Sequence, residues 1–207
     1  MSLGQINYET NKLGKCIVDI TKQEDIINIV EVGTWNGLGT TRCVLQGIQD
    51  SNKLNYNFYS FECNEEVYQQ AVENNKNVDQ NKVKLIYGKL VDETLLDSWF
   101  DINSLTSEQR GWFEQDKTWM SNVPNVSNKL PLYIDFLILD GGEFSTYLEW
   151  RILCQRCRYI ALDDTTQLKC KKVREEILND KNFKIIEDDL TGSRYGFLVA
   201  EYLKYKH

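Results

Sequence analysis

Three aspartates, Asp140, Asp163 and Asp164, stand where two strongly apolar runs end, residues 134–139 and 158–162. Hard oxygen donors with no histidine or paired cysteine beside them suit magnesium, calcium or manganese, not zinc. The plainer alternative is that Asp163-Asp164 caps a helix or forms a turn. Asp140-Gly141-Gly142 puts the third acid in a turn that a ligand can approach, which favours the metal reading. A second constellation is Glu31-Val32-Gly33-Thr34-Trp35-Asn36-Gly37-Leu38-Gly39, an apolar run that ends in an acid and then turns through three glycines. Gly33 can take a tight-turn conformation closed to other residues, and Gly37 and Gly39 lack the Cβ that would block a ligand. The spacing G-x-x-x-G-x-G is not the G-x-G-x-x-G of dinucleotide enzymes. Glu31 is expected to hold the loop's amides or a cofactor amine. Glu62, closing another apolar run, offers two adjacent acceptors to the paired hydroxyls of a ribose.

Such residues need a scaffold that brings strand ends together. Strand-like runs at 26–32, 57–62, 83–87, 134–140, 158–163, 183–188 and 195–202 alternate with helical patterns at 40–48, 65–74, 145–154 and 168–178. That alternation predicts an α/β fold, a Rossmann-like, doubly wound, mostly parallel seven-stranded sheet. The last two runs are joined closely enough through Thr191-Gly192-Ser193 to form an antiparallel hairpin. In open parallel sheets ligands collect at the carboxyl ends of the strands, where Glu31, Glu62, Asp140, Asp163 and Asp164 all fall. The fourth and fifth strands are expected to be neighbours, so the three aspartates meet. Trp99, Phe100, Trp112, Phe113 and Trp119 mark a segment that breaks the rhythm. Residues 101–131 are read as a helix-containing insertion covering the substrate site, against the alternative that its aromatics only pack on the sheet edge.

At 207 residues the chain suits a single domain, 1–207, with one full core. With 24 basic and 31 acidic residues its net charge of -7 repels a phosphate backbone, so nucleic acid is not an expected partner. Lys169, Lys171, Lys172 and Arg174, at helical spacing, read as a solvated face. No apolar run approaches the roughly 20 residues of a membrane span, and the N-terminus has no signal-like pattern. Six scattered cysteines fit a reducing compartment, hence a cytoplasmic expectation. Cys154-x-x-Cys157 has no second pair, and the lone histidine is His207, so two half-buried helix cysteines are expected there. Met1-Ser2-Leu3 carries no weight in the reading.

The chain resembles class I S-adenosylmethionine-dependent methyltransferases over 26–202. Glu31-Val32-Gly33-Thr34-Trp35-Asn36-Gly37 is similar to that family's first motif, and Glu62 matches its ribose-holding acid. Asp140-Gly141-Gly142-Glu143-Phe144-Ser145-Thr146 with Leu162-Asp163-Asp164 resembles the metal-dependent O-methyltransferases that act on sugars, and more distantly the catechol enzymes. The resemblance implies S-adenosylmethionine bound by Glu31, Gly33, Trp35, Gly37, Glu62, Cys63, Gly88 and Asp140. It also implies Mg2+ or Mn2+ on Asp140, Asp163 and Asp164, and a catalytic base at Glu143 or Asp140. Gly142 departs from the aspartate common in the sugar enzymes, as Arg156-Cys157-Arg158 does from their proline and glycine turn. The group's N-terminal helices are expected to be missing.

The implied reaction is methylation of a sugar or glycan hydroxyl, with a catechol-like phenol as the alternative acceptor. A nicotinamide-dependent oxidoreductase shares the strand, glycine loop and later acid, but not the glycine spacing or the closing hairpin. A non-catalytic module binding an adenosine ligand is the third candidate, and it has no need of the acid trio. Nothing in the sequence fixes the oligomeric state.

Overall fold

A computed structural model describes residues 6–191 and 195–205. Of the expected hairpin turn, Gly192 and Ser193 lie outside the described residues, as do Met1-Ser2-Leu3 and His207. The strands are β1 (Asn28–Val32), β2 (Asn57–Glu62), β3 (Val83–Tyr87), β4 (Ile134–Leu139), β5 (Cys157–Asp163), β6 (Phe183–Asp189) and β7 (Phe197–Tyr202). They form a seven-stranded sheet in the order β3-β2-β1-β4-β5-β7-β6. β1 to β5 pair in parallel, and β7 runs antiparallel to both β5 and β6. The chain leaves β1 for β2 and β3 on one side and returns to β4 and β5 on the other. A crevice therefore opens at the carboxyl ends of β1 and β4, where the winding reverses.

The helices are α1 (Lys12–Thr21), α2 (Thr40–Asp50), α3 (Glu65–Asn74), α4 (Ser107–Ser121), α5 (Thr146–Leu153) and α6 (Leu168–Asn179). Alternation along the strands sorts the core into two layers. Val30, Val32, Leu137, Leu139, Ile160 and Leu162 pack with Tyr147, Trp150, Val173 and Ile177 of α5 and α6. Ile29, Phe58, Phe136, Ile138 and Ala161 pack on the opposite face with Ile17 of α1 and Val44 of α2.

The structure departs from the sequence reading in several places. α1 lies ahead of β1, so an N-terminal helix is present. Asn11 caps it by accepting the Gly14 N–H at 3.2 Å, and its buried residues Leu13, Ile17 and Ile20 follow helical spacing. β1 starts at Asn28, not at residue 26, because the Ile27 and Asn28 amides donate to buried Asp135 at 2.9 and 2.7 Å instead of entering the ladder. β7 begins at Phe197, after Gly196, whose φ of 75° breaks the extended run. Cys157 is a buried residue opening β5, not a helix cysteine.

The insertion follows a short 3-10 helix, Glu93–Ser98, and holds two more, Ile102–Ser104 and Ser127–Lys129, on either side of α4, which starts with a capping box between Thr106 and Gln109. Leu96, Leu105, Phe113, Met120 and Phe144 give it a small core of its own. Phe100 meets Phe113 edge-on and Phe144 at a tilt, with ring centroids 5.7 and 5.2 Å away, and the Trp99 indole donates to the Phe144 carbonyl at 3.0 Å. Trp99, Phe100 and Phe113 thus pack the insertion down, whereas Trp112 is exposed and Trp119 lines the crevice.

Candidate functional site

The glycine loop after β1 is threaded between two neighbouring strand ends. The Gly33 N–H donates to the Phe61 carbonyl at 3.0 Å, and the Asp140 N–H donates to the Val32 carbonyl at 2.9 Å. Gly33 has φ 94°, and a Cβ there would lie 2.1 Å from the Asp140 carbonyl oxygen. Only glycine permits that crossing. Trp35 follows with φ 51°, an uncommon conformation for a bulky residue. It is held by Glu62, whose Oε2 accepts the Trp35 N–H and whose Oε1 accepts the Asn64 N–H, both at 2.8 Å.

The cavity beneath this loop is lined by Val32, Gly33, Trp35, Phe61, Glu62, Cys63, Asn64, Gly88, Lys89 and Leu90 from the ends of β1, β2 and β3. Asp140, Gly141, Gly142, Ser145 and Glu149 close it from β4 and α5, and Asp116, Trp119 and Met120 from α4. Six of the eight expected cofactor residues meet there: Gly33, Trp35, Glu62, Cys63, Gly88 and Asp140. The other two stand elsewhere. Glu31 points to the α2 face with its strand neighbour Ile29, fully buried, accepting from Thr41 Oγ1 at 2.7 Å and from the Ser60 hydroxyl. Burial pushes its pKa up to about 7, against the pull of the Ser60, Thr40 and Thr41 hydroxyls. It braces the loop from below. Gly37, with φ 72°, is pressed against Asn75 and Ala71 of the α3 end and shapes the loop there.

Two cavity acids had no signal in the sequence reading. Asp116 Oδ2 and Glu149 Oε2 are buried without a hydrogen-bond partner. Burial raises Asp116 to about 6, with the charges of Glu143 and Glu62 adding to it, and Glu149 to about 8, with those of Asp116 and Glu62 adding. A carboxyl whose folded pKa is raised gives stability that is full below its unfolded value and is lost as pH climbs through the folded one. In the ligand-free protein, Glu149→Gln should therefore weaken the loss of stability between about pH 4.5 and 8. At the alkaline end of that window it should raise the unfolding free energy by on the order of 2–4 kcal/mol. Thermal melts across that range check this. Equal pH slopes for the two proteins would show that Glu149 does not carry the proton.

Asp140, Asp163 and Asp164 do converge, each offering an oxygen within 4.8 Å of the others. Asp163 is buried, and burial together with the Asp140 charge lifts it to about 7. Asp164 is held at φ 54°, a left-handed conformation that aspartate tolerates better than most residues. Their donor chemistry suits a hard cation, but a cation of the chain's own is already among them. Lys169, expected on a solvated face, is buried in the first turn of α6. Its Nζ lies 2.7 Å from Asp140 Oδ1 and 2.9 Å from Asp164 Oδ2. Burial pulls the lysine pKa down, and the Asp140 and Asp164 charges overcome it and hold the ammonium well above its usual value. The lysine ammonium thus already counters the charge of two of the three aspartates. The rest of the basic set behaves as a surface face, with Lys171 exposed and Arg174 paired to Asp188 at 2.7 Å.

Glu143 turns away from the cavity lining to the start of α6, where its Oε1 accepts the Lys169 N–H at 3.2 Å. A carboxylate there satisfies an orphan amide and complements the helix dipole. Burial raises its pKa. Of the two expected bases, Asp140 is the one that lines the cavity.

The strand order, the closing antiparallel hairpin and the glycine loop over the β1 and β4 ends define a Rossmann-like methyltransferase fold. Solved structures carry the same architecture. An O-methyltransferase from Bacillus cereus in complex with S-adenosylhomocysteine is 18% identical, with TM-score 0.57 over 91% of this chain and 80% of that one. A putative O-methyltransferase from Klebsiella pneumoniae is 15% identical, with TM-score 0.60 over 98% and 83%. The Podospora anserina methyltransferase PaMTH1, bound to S-adenosylhomocysteine, is 11% identical, with TM-score 0.57 over 91% and 77%. No protein-family model matches the chain, and no curated protein sequence matches it. Among the described residues no helix is long and apolar enough to cross a membrane.

Proposed function

We propose that the protein is an S-adenosylmethionine-dependent O-methyltransferase acting on a hydroxyl of a small molecule, a sugar or glycan ahead of a catechol-like phenol. The observation that carries this is Glu62, buried at the end of β2 beneath the glycine loop and lining the same cavity as Asp140. A carboxylate so placed suits a ribose diol. Phe61, Leu90, Trp119 and Met120 offer apolar walls for a purine. The unpartnered oxygens of Asp116 and Glu149 suit its exocyclic amine, and a carboxyl kept neutral by burial both accepts from that amine and donates to a ring nitrogen. The two solved structures with S-adenosylhomocysteine support the choice of cofactor. The acceptor class rests on the Asp140-Gly141-Gly142 and Leu162-Asp163-Asp164 motifs, and the acidic balance of the chain speaks against nucleic acid. Six free cysteines are consistent with a cytoplasmic setting.

S-adenosylmethionine, held beneath the Gly33 loop with its ribose on Glu62, would supply an electrophilic methyl to the acceptor oxygen, the carbon–sulfur electron pair leaving with sulfur. The hydroxyl proton passes to the Asp140 carboxylate. An ether oxygen that still carries its proton is a strong acid, so a weak base suffices once carbon–oxygen bonding is under way. The protein mainly aligns the two reactants and excludes water, with α4 as the cover.

Calorimetry with S-adenosylhomocysteine tests the reading. Glu62→Ala should lose on the order of 2–4 kcal/mol of binding, about 30- to 1000-fold in affinity. Unchanged affinity would remove Glu62 from the cofactor site. Metal-assisted transfer is the second reading, favoured by the three hard donors. It requires the Lys169 ammonium to leave the trio, and full activity in the presence of a chelator would speak against it.

A further inference from the structure

We infer that Lys169 is the resident counter-ion of the Asp140, Asp163 and Asp164 cluster and closes it to divalent cations. A hard cation bound to all three carboxylates would sit about 2.0–2.6 Å from each oxygen. The Lys169 nitrogen already stands 2.7 Å from Asp140 and 2.9 Å from Asp164, inside the cleft an ion would fill. The two cannot share it. A dication beside an ammonium in a buried pocket is strongly repelled.

Withdrawal of the lysine is opposed on several sides. Its side chain is only 8% exposed, and its backbone is fixed in the first turn of α6, with its own N–H on Glu143. Leaving would break a charge-assisted hydrogen bond to Asp140 and an ion pair to Asp164, and strand two carboxylates that those contacts compensate. The ammonium thus does for the cluster what an ion would do: it holds Asp140 at the cavity wall against the repulsion of its neighbours. Lys169 is a positioning residue in this account. The inference rests on the cluster's geometry alone and holds whatever the acceptor or cofactor is.

The test is titration with Mn2+ alone, followed by electron paramagnetic resonance, on metal-free wild-type protein and on Lys169→Met. Wild type should leave the free Mn2+ signal undiminished, and its melting temperature should not move with Mn2+. Lys169→Met, with the cation removed and the stem length kept, should take up one equivalent and gain melting temperature as it does so. Uptake by wild type that is lost in Asp164→Asn would overturn the inference. Absence of uptake by a folded Lys169→Met would overturn it too, because the lysine would then not be what keeps ions out. If Lys169→Met does not fold even with Mn2+ present, the wild-type titration decides alone. None of these readings uses methyl transfer, so a failure of the functional proposal stays distinguishable.

Discussion

Asp140→Asn should lower the rate of methyl transfer by on the order of 10²- to 10⁴-fold, the span that a single positioned base contributes. The substitution keeps the side chain's shape and a hydrogen-bonding oxygen for Lys169, so the fold and the cavity should survive. Cofactor affinity should change by only a few-fold, because ribose recognition is assigned to Glu62. Single-turnover assays beside calorimetry with S-adenosylhomocysteine separate the two quantities. A variant that binds the cofactor normally and transfers methyl at the wild-type rate would remove Asp140 from the chemistry. Glu143 would then return as the base, despite its place at the start of α6.

Gly33→Ala should be the most damaging change in the binding loop. The added carbon would lie 2.1 Å from the Asp140 carbonyl oxygen and 2.7 Å from the Gly141 nitrogen, so backbone must move. The φ of 94° adds strain of its own at this position. Destabilisation of several kcal/mol is expected, with loss of measurable cofactor binding in whatever remains folded. Denaturant melts and calorimetry on the same preparation check both. A variant with wild-type stability and affinity would mean that the loop can lift off the β4 end, contrary to the packing described.

The two changes bear on different parts of the sequence reading. The sheet was legible because β1, β4 and β5 are nearly continuous apolar runs that end in acids, and because the glycine loop can follow only a strand. The ribose acid and the aspartate trio came from the same rule, that ligands gather at strand ends. Glu31 failed it by position: it stands one residue short of the end of β1, on the α2 face with Ile29, where Ser60 and Thr41 bond it, whereas Glu62 is the last residue of β2.

What escaped the reading depends on contacts made across the chain. α1 was overlooked although Asn11 and the Leu13, Ile17, Ile20 spacing carry a helix signal. Lys169 looks like its neighbours Lys171 and Lys172 in sequence. It differs only because the first turn of α6 lies against the ends of β4 and β5. Asp116 sits in an insertion whose own core of Leu96, Leu105 and Phe113 decides where α4 rests, and no local pattern announces that. Glu149 is one helical side chain among several until α5 is docked beneath Gly141. Each of these became part of the site through tertiary packing.

Co-crystallisation with S-adenosylhomocysteine tests the central claim most directly. The account predicts the ligand beneath the Gly33 loop, with both ribose hydroxyls within hydrogen-bond distance of the Glu62 carboxylate, the adenine between Asp116 and Glu149, and the sulfur facing Asp140. Density for the ligand elsewhere, or a cavity that stays empty at saturating ligand while Glu62 keeps its bonds to Trp35 and Asn64, would contradict it.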